Sequence, residues 1–291
     1  MFVREAPGPA DGPVILLLHG WTASADLNWF PLYEPLTKVG TVLAVDHRGH
    51  GRGIRSEEEF SLEAAADDAA ALLRHLGHKR VIAIGYSMGG PIAMLLWRRH
   101  PELVDGLILE ATALEWHASA RERLTWKFLA GAELVFRLGP SRGLVERYLS
   151  QVVELSPEIA QWQGWLKGEM RRGDPSALAQ AGRALSRYDA RPFAASVDVP
   201  AAVVVTTIDR LVRPKKQRAL AGAIPQSSTF ELAADHDAPL LHPLALATAT
   251  TDALAWVLHR LGQDRAALAS ASEASSVAAL SDAGTARTPH S

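Results

Sequence analysis

Short, almost unbroken apolar runs recur along the chain, separated by longer stretches with helical spacing, and this alternation restricts the fold more than any other feature. Residues 14–18, 41–45, 81–85 and 107–109 are aliphatic at nearly every position, and runs at 202–206 and 228–232 follow later. A strand that is apolar at successive positions has both faces covered, as happens in a mostly parallel sheet with helices on each side. Residues 62–76 place apolar side chains at helical spacing, leaving Asp67, Asp68 and Arg74 for the wet face. Residues 91–99 open with Pro91 and end in Arg98 and Arg99, which suit the two ends of a helix. The expected class is therefore α/β, a mostly parallel sheet flanked by helices.

Between 113 and 188 the strand-like runs stop, arginine becomes frequent, and Trp116, Trp126, Trp162 and Trp165 appear. So long a segment does not stay structureless inside a compact domain. It is expected to be a helical cap or lid over one rim of the sheet, inserted in a core formed by 1–112 and 189–262. Residues 263–291 are dominated by alanine and serine and show no sustained apolar stripe. Little surface is available there to offset the entropy of ordering, so this tail is expected to be disordered.

Composition removes several classes. The 291 residues carry 30 basic and 32 acidic side chains, a formal net charge of −2, which supplies no field for nucleic acid. With no cysteine, thiolate catalysis and cysteine-ligated metals are impossible. No H-E-x-x-H pairing suggests zinc, and 49–53 lacks the spacing of a nucleotide-binding loop. No cofactor is expected. The first 13 residues do not resemble a secretory signal, and no run approaches the ~20 apolar residues that span a bilayer. A cytoplasmic setting is expected.

Gly85-Tyr86-Ser87-Met88-Gly89 matches G-x-S-x-G between an apolar run and a helix opening near Pro91. That strand-turn-helix setting lifts a serine hydroxyl out of the sheet, and the neighbours two positions away must be small. Ser87 is the expected nucleophile. Attack on a carbonyl creates an oxyanion, and each fixed backbone N–H aimed at it lowers the barrier by about 3 to 4 kcal/mol. Met88 is expected to supply one such donor. The second is expected from Trp21, in His19-Gly20-Trp21 directly after the run 14–18, with His19 bracing the loop.

Serine is a weak nucleophile at neutral pH and needs a base, and the base needs a carboxylate to fix its tautomer. In this architecture both partners follow the serine, acid before base, each just past a strand. Asp209 follows the run 202–206, and His236 follows 228–232. They are the expected acid and base, with Asp237 and His242 as rivals.

Taken together, His19-Gly20-Trp21, Asp46-His47-Arg48-Gly49-His50-Gly51, Gly85-Tyr86-Ser87-Met88-Gly89-Gly90, Asp209 and His236 resemble the α/β-hydrolase superfamily, nearest its lid-bearing esterase, lipase and cofactor-free haloperoxidase-like members. The cap region and the tail carry no matching motif. The resemblance implies that Asp46, Arg48 and His50 build the loop behind the site without entering the chemistry. It also implies a serine after Gly51, where this chain has Arg52; we read that departure as loop variation. Serine at the elbow argues against the dehalogenase and epoxide-hydrolase branches, which use aspartate there.

The expected activity is hydrolysis of a small apolar carboxylic ester through an acyl-enzyme, with Trp116, Trp126, Trp162 and Trp165 as candidate walls of an acyl pocket. Aromatic residues at such spacing equally serve as core. The same trio would cleave a carbon-carbon bond, a thioester or a lactone, or make a peracid. A non-catalytic receptor on the same fold is the alternative of another class.

Overall fold

The computed structural model describes residues 1–116 and 162–263. Its strands are β1 (Val3–Ala6), β2 (Val14–Leu18), β3 (Thr41–Val45), β4 (Val81–Tyr86), β5 (Val104–Glu110), β6 (Ala201–Thr206) and β7 (Ser227–Leu232). They form one sheet among the described residues, in the order β1-β3-β2-β4-β5-β6-β7. Every pairing is parallel except β1 with β3. The six apolar runs are thus six strands of the sheet. The seventh, β1, is not legible in the sequence: its Arg4 and Glu5 are exposed, because an edge strand needs only one partner.

Side-chain alternation divides the core in two. Leu16, Leu43, Ala83, Leu107 and Val203 face one layer, and Ile15, Val42, Ile82, Ile108 and Ala202 face the other. Helices α1 (Ala25–Trp29) and α2 (Tyr33–Thr37), with a later helix over 243–263, cover the second layer. The first layer is covered by α3 (Leu62–His75) and α4 (Gly89–Arg99). Ser61 caps α3 by accepting the Ala64 N–H at 3.0 Å, and Leu62, Ala65, Ala66, Ala69, Ala70 and Leu73 form its buried stripe. Its wet-face carboxylates are used: Asp67 chelates Arg99, and Asp68 holds Arg48 at 2.7 and 2.9 Å.

Among the described residues of the segment 113–188 are two helices, α5 (Gln163–Met170) and α6 (Pro175–Arg187). Asp174 caps α6 through the Ala177 N–H, and Pro175 occupies its first turn. Ala181 and Leu185 join the core, and Gly182 lies against the Trp21 indole, where an added Cβ would come within 2.7 Å of the ring. Residues 117–161, including Trp126, and 264–291 lie outside the described residues. After α7 (Pro214–Ala223) and the short α8 (Ala238–Leu241), the helix over 243–263 runs one residue into the stretch expected to be disordered.

Arg52 is more than loop variation. Its guanidinium meets Asp26 at 2.8 Å, Asp46 at 3.2 Å and Glu169 of α5 at 3.5 Å, and it lies over the Phe2 ring at 3.7 Å. All three carboxylates are nearly out of solvent. Glu169 also accepts the Ser24 hydroxyl at 2.6 Å, so one cation joins the core to the base of the inserted segment. Burial would push the Asp26 carboxyl up, yet bonds from Arg4, Arg52 and Tyr33 prevail and hold it at about 2. Arg4 stays on Asp26 and Arg172 on Glu169 when the Arg52 side chain is lost, so the loss falls mainly on buried Asp46, at a cost of about 1 to 3 kcal/mol. Arg52→Met is expected to lose that much in urea unfolding at pH 7, and a change under about 1 kcal/mol would show the cluster to be idle.

Candidate active site

The elbow forms because β4 ends directly beneath the first turn of α4. Ser87 between them adopts φ 52°, a left-handed conformation that is strained for a side chain other than glycine. Its N–H is held by the Glu110 carbonyl at 2.8 Å and its carbonyl by the Gly90 N–H at 3.0 Å, which fixes the turn. The tight crossing requires the flanking glycines: a Cβ on Gly85 would meet the Gly89 carbonyl oxygen at 2.2 Å, and one on Gly89 would meet that of Leu18 at 1.9 Å.

Three side chains distant in sequence meet at this rim. Ser87 Oγ lies 3.0 Å from His236 Nε2, and His236 Nδ1 lies 2.8 Å from Asp209 Oδ2. A carboxylate can only accept, so Nδ1–H donates to Asp209 and Nε2 is left to accept from serine. Asp209 is itself fixed. Its Oδ1 accepts the N–H groups of Leu211 and Val212, both at 2.8 Å, and its Oδ2 accepts Thr206 Oγ1 at 2.8 Å and Gln217 Nε2 at 3.3 Å. Fully buried Gln217 also bonds the Thr206 N–H and the Val212 carbonyl. Nothing in its sequence position marks this bracing glutamine.

The loop bearing His236 is tied from two sides. Asp235 Oδ1 accepts the His236 N–H at 2.8 Å, and the Tyr86 hydroxyl donates to the His236 carbonyl at 2.8 Å. The variable residue of the G-x-S-x-G motif therefore links the serine strand to the histidine loop. Of the rivals, Asp237 has an Oδ1 without a hydrogen bond among the described residues and a pKa raised by burial, and His242 is exposed on the turn after α8.

Met88 occupies the N-cap of α4, where backbone N–H groups have no intrahelical acceptor. Trp21 lines the cavity above Ser87, and its indole Nε1 donates to the Leu178 carbonyl of α6 at 2.8 Å, a tether not legible in sequence. His19 is fully buried. Its Nε2 accepts the His47 N–H at 3.1 Å, so Nδ1 carries the proton and donates to the Gly20 carbonyl at 2.7 Å. Burial lowers the pKa of His19, His47 and His50, which keeps this stack neutral and structural.

The cavity measures about 450 Å³. Ser87 and His236 line it together with Trp21, Ala23, Leu27, Met170, Pro239 and Leu240. Of the candidate wall tryptophans, the described Trp116, Trp162 and Trp165 are not among the residues that line it. Trp116 is 7% exposed and packs in the core layer with α3 and α4, because it closely follows β5. Trp165 packs edge-on against Phe30 beside the cavity, and Trp162 is 54% exposed. The residue that α5 sends into the cavity is Met170. No cluster of His, Asp and Glu suited to a metal occurs among the described residues. Nor is any described helix long and apolar enough to cross a membrane.

Beneath the elbow, Glu110 is fully buried, and its Oε1 accepts Thr250 Oγ1 at 2.7 Å while Oε2 has no partner among the described residues. Burial pushes its carboxyl up to about 8, against the opposing Thr250 bond. The folded pKa exceeds the ordinary 4.5, so the native chain holds a proton that the unfolded chain releases. Its contribution to stability is full below about pH 4.5 and declines until pH exceeds about 8. Glu110→Gln is expected to abolish this decline. At pH 8 it should exceed the wild type by a few kcal/mol, since each tenfold change in proton affinity is worth about 1.4 kcal/mol. Urea unfolding from about pH 4.5 to about pH 8.5 checks it; parallel curves for the two proteins would refute the protonated carboxyl.

A family model described as alpha/beta hydrolase fold matches residues 13–243. The pimeloyl-[acyl-carrier protein] methyl ester esterase of Neisseria meningitidis is 31% identical over 206 residues, covering 69% of this chain and 77% of that protein. The protein of the same name from Chromobacterium violaceum is 30% identical over 240 residues, covering 79% and 89%. Among solved structures, the enol-lactonase from Burkholderia xenovorans superposes with a TM-score of 0.75 at 25% identity, covering 87% of this chain and 96% of that one. An esterase from Thermogutta terrifontis gives 0.74 at 26% identity, covering 88% and 93%.

Proposed function

Because the chain belongs to the alpha/beta hydrolase fold family, we propose that it is a serine esterase in which Ser87, His236 and Asp209 form the catalytic triad. One observation carries this reading: a serine on a strained turn, 3.0 Å from an imidazole that a fixed carboxylate orients at 2.8 Å, opening on a mainly apolar cavity. The relatives named as methyl ester esterases support ester hydrolysis as the reaction class.

In the proposed cycle the Ser87 hydroxyl attacks the ester carbonyl as His236 Nε2 takes its proton. The oxyanion is received by the backbone N–H groups of Met88 and Trp21. His236 then returns the proton to the departing alcohol, leaving an acyl group on Ser87 that a water, activated by the same imidazole, removes. Asp209 holds the tautomer and stabilises the imidazolium. Leu27, Leu240, Pro239 and Met170 are the apolar walls for the substrate. The segment 113–188, to which α5 and α6 belong, acts as the cap.

A panel of p-nitrophenyl esters of increasing acyl length tests the class, beside a lactone, an acyl-thioester and a ring-fission dienoate that the same triad would attack. Turnover of esters together with fluorophosphonate labelling of Ser87 is expected. Folded protein that cleaves the dienoate but no ester would reassign the chemistry, and an unlabelled Ser87 would favour a receptor.

A further inference from the structure

One polar group of the cavity has no part in the proposed cycle. Asn28, on α1, is 4% exposed and lines the same cavity as Ser87. Its Oδ1 accepts the Gly20 N–H at 2.9 Å, which fixes the orientation of the amide, since the reversed one would set two donors against each other. The amide nitrogen, Nδ2, is then buried with no hydrogen-bond partner among the described residues. Native interiors rarely leave a donor in that condition.

Position gives this donor a chemical meaning. A Cβ on Gly20 would meet Ser87 Cβ at 3.3 Å and Asn28 Oδ1 at 3.4 Å, so the amide and the serine flank the same glycine. The cavity walls include the apolar Leu27, Ala23 and Leu240. Asp235 is engaged by Arg210 and the His236 N–H, and Asp237 is only half-buried. A fixed donor in such a wall selects for an acceptor, because substrates lacking one leave it unpaired.

We propose that Asn28 is a specificity-determining residue whose Nδ2 donates to a second oxygen of the substrate. The preferred substrates are esters that carry a carbonyl, ether or hydroxyl oxygen a few bonds from the scissile carbonyl. This rests on the serine esterase reading.

Two matched pairs test it and separate the acyl from the alcohol side: p-nitrophenyl 4-oxopentanoate against p-nitrophenyl pentanoate, and 2-methoxyethyl butanoate against butyl butanoate. In wild-type protein the oxygenated member of at least one pair is expected to have about tenfold or more higher kcat/KM. Asn28→Asp keeps an acceptor for Gly20 but loses the donor, and Asn28→Ala loses both. Each is expected to collapse that ratio severalfold toward one, whatever it does to turnover in general, because a purely structural loss slows both members alike. A ratio near one in the wild type for both pairs, or a preference that persists in either variant, overturns the assignment. Failure to hydrolyse any of the four esters would instead remove the esterase reading beneath it.

Discussion

Ser87→Ala is expected to lower kcat for ester hydrolysis by about 10⁶-fold, the scale on which a well-studied serine protease responds to loss of its nucleophile. The substitution deletes one oxygen and keeps the rest. The glycines that permit the crossing, the Glu110 carbonyl that holds the backbone N–H, and the His236–Asp209 bond do not depend on Oγ. Alanine must still adopt φ 52°, so the strain stays and stability is expected to change by less than about 1 kcal/mol. A residual acceleration of about 10³ over water is expected from binding and the remaining donors. Activity within about tenfold of wild type, measured on a p-nitrophenyl ester, would place the chemistry on another residue.

Asp209→Asn is expected to cost about 10⁴ in kcat with little change in KM, because the amide fits but inverts the proton logic. Five donors converge on this carboxylate: two backbone N–H groups, Thr206, Gln217 and His236. An amide oxygen can serve only one side of that cradle. With the oxygen toward Leu211 and Val212, the NH₂ faces His236 and donates to Nδ1, so the ring proton sits on Nε2, which cannot accept from Ser87. The split between kcat and KM is the readout, since loss of the cradle itself would lower the folded fraction and leave kcat per folded molecule intact. A loss below about tenfold would assign the orienting role elsewhere.

The legible parts of this molecule are those that the chain order dictates. Val14–Leu18 and Thr41–Val45 are readable to the residue because both faces of each strand are covered, which leaves no polar residue but Thr41 at a strand start. The apolar run 107–109 understates β5, since Asp105, Gly106 and Glu110 interrupt the pattern although Glu110 is buried. The approach of residues 87, 209 and 236 follows from strand order: each lies just past the C-terminal end of a parallel strand, and parallel strands bring those ends to one rim.

Contacts through space are not legible in the same way. Asn28, Met170 and Gln217 reach the site from helices whose facing depends on packing, and no spacing rule points to them. Trp116 shows the converse: a large aromatic in the inserted region suggests a pocket wall, but its place soon after a central strand draws it into the core. Arg52 is visible in the sequence only as a departure from a motif. Its reason lies in Glu169, far along the chain, which no local pattern could supply.

The indole bond from Trp21 to Leu178 has a consequence for how the molecule operates. One residue bears both the amide proposed to receive negative charge and an arm fastened to α6, so the amide and that helix are parts of one lever. Any displacement of α6 as part of the proposed cap must either break that arm or drag the amide with it. Entry and catalysis are therefore opposed demands on a single side chain. Cutting the arm with Trp21→Phe should ease admission of large substrates while slowing small ones, a crossing of rates that independent parts would not produce.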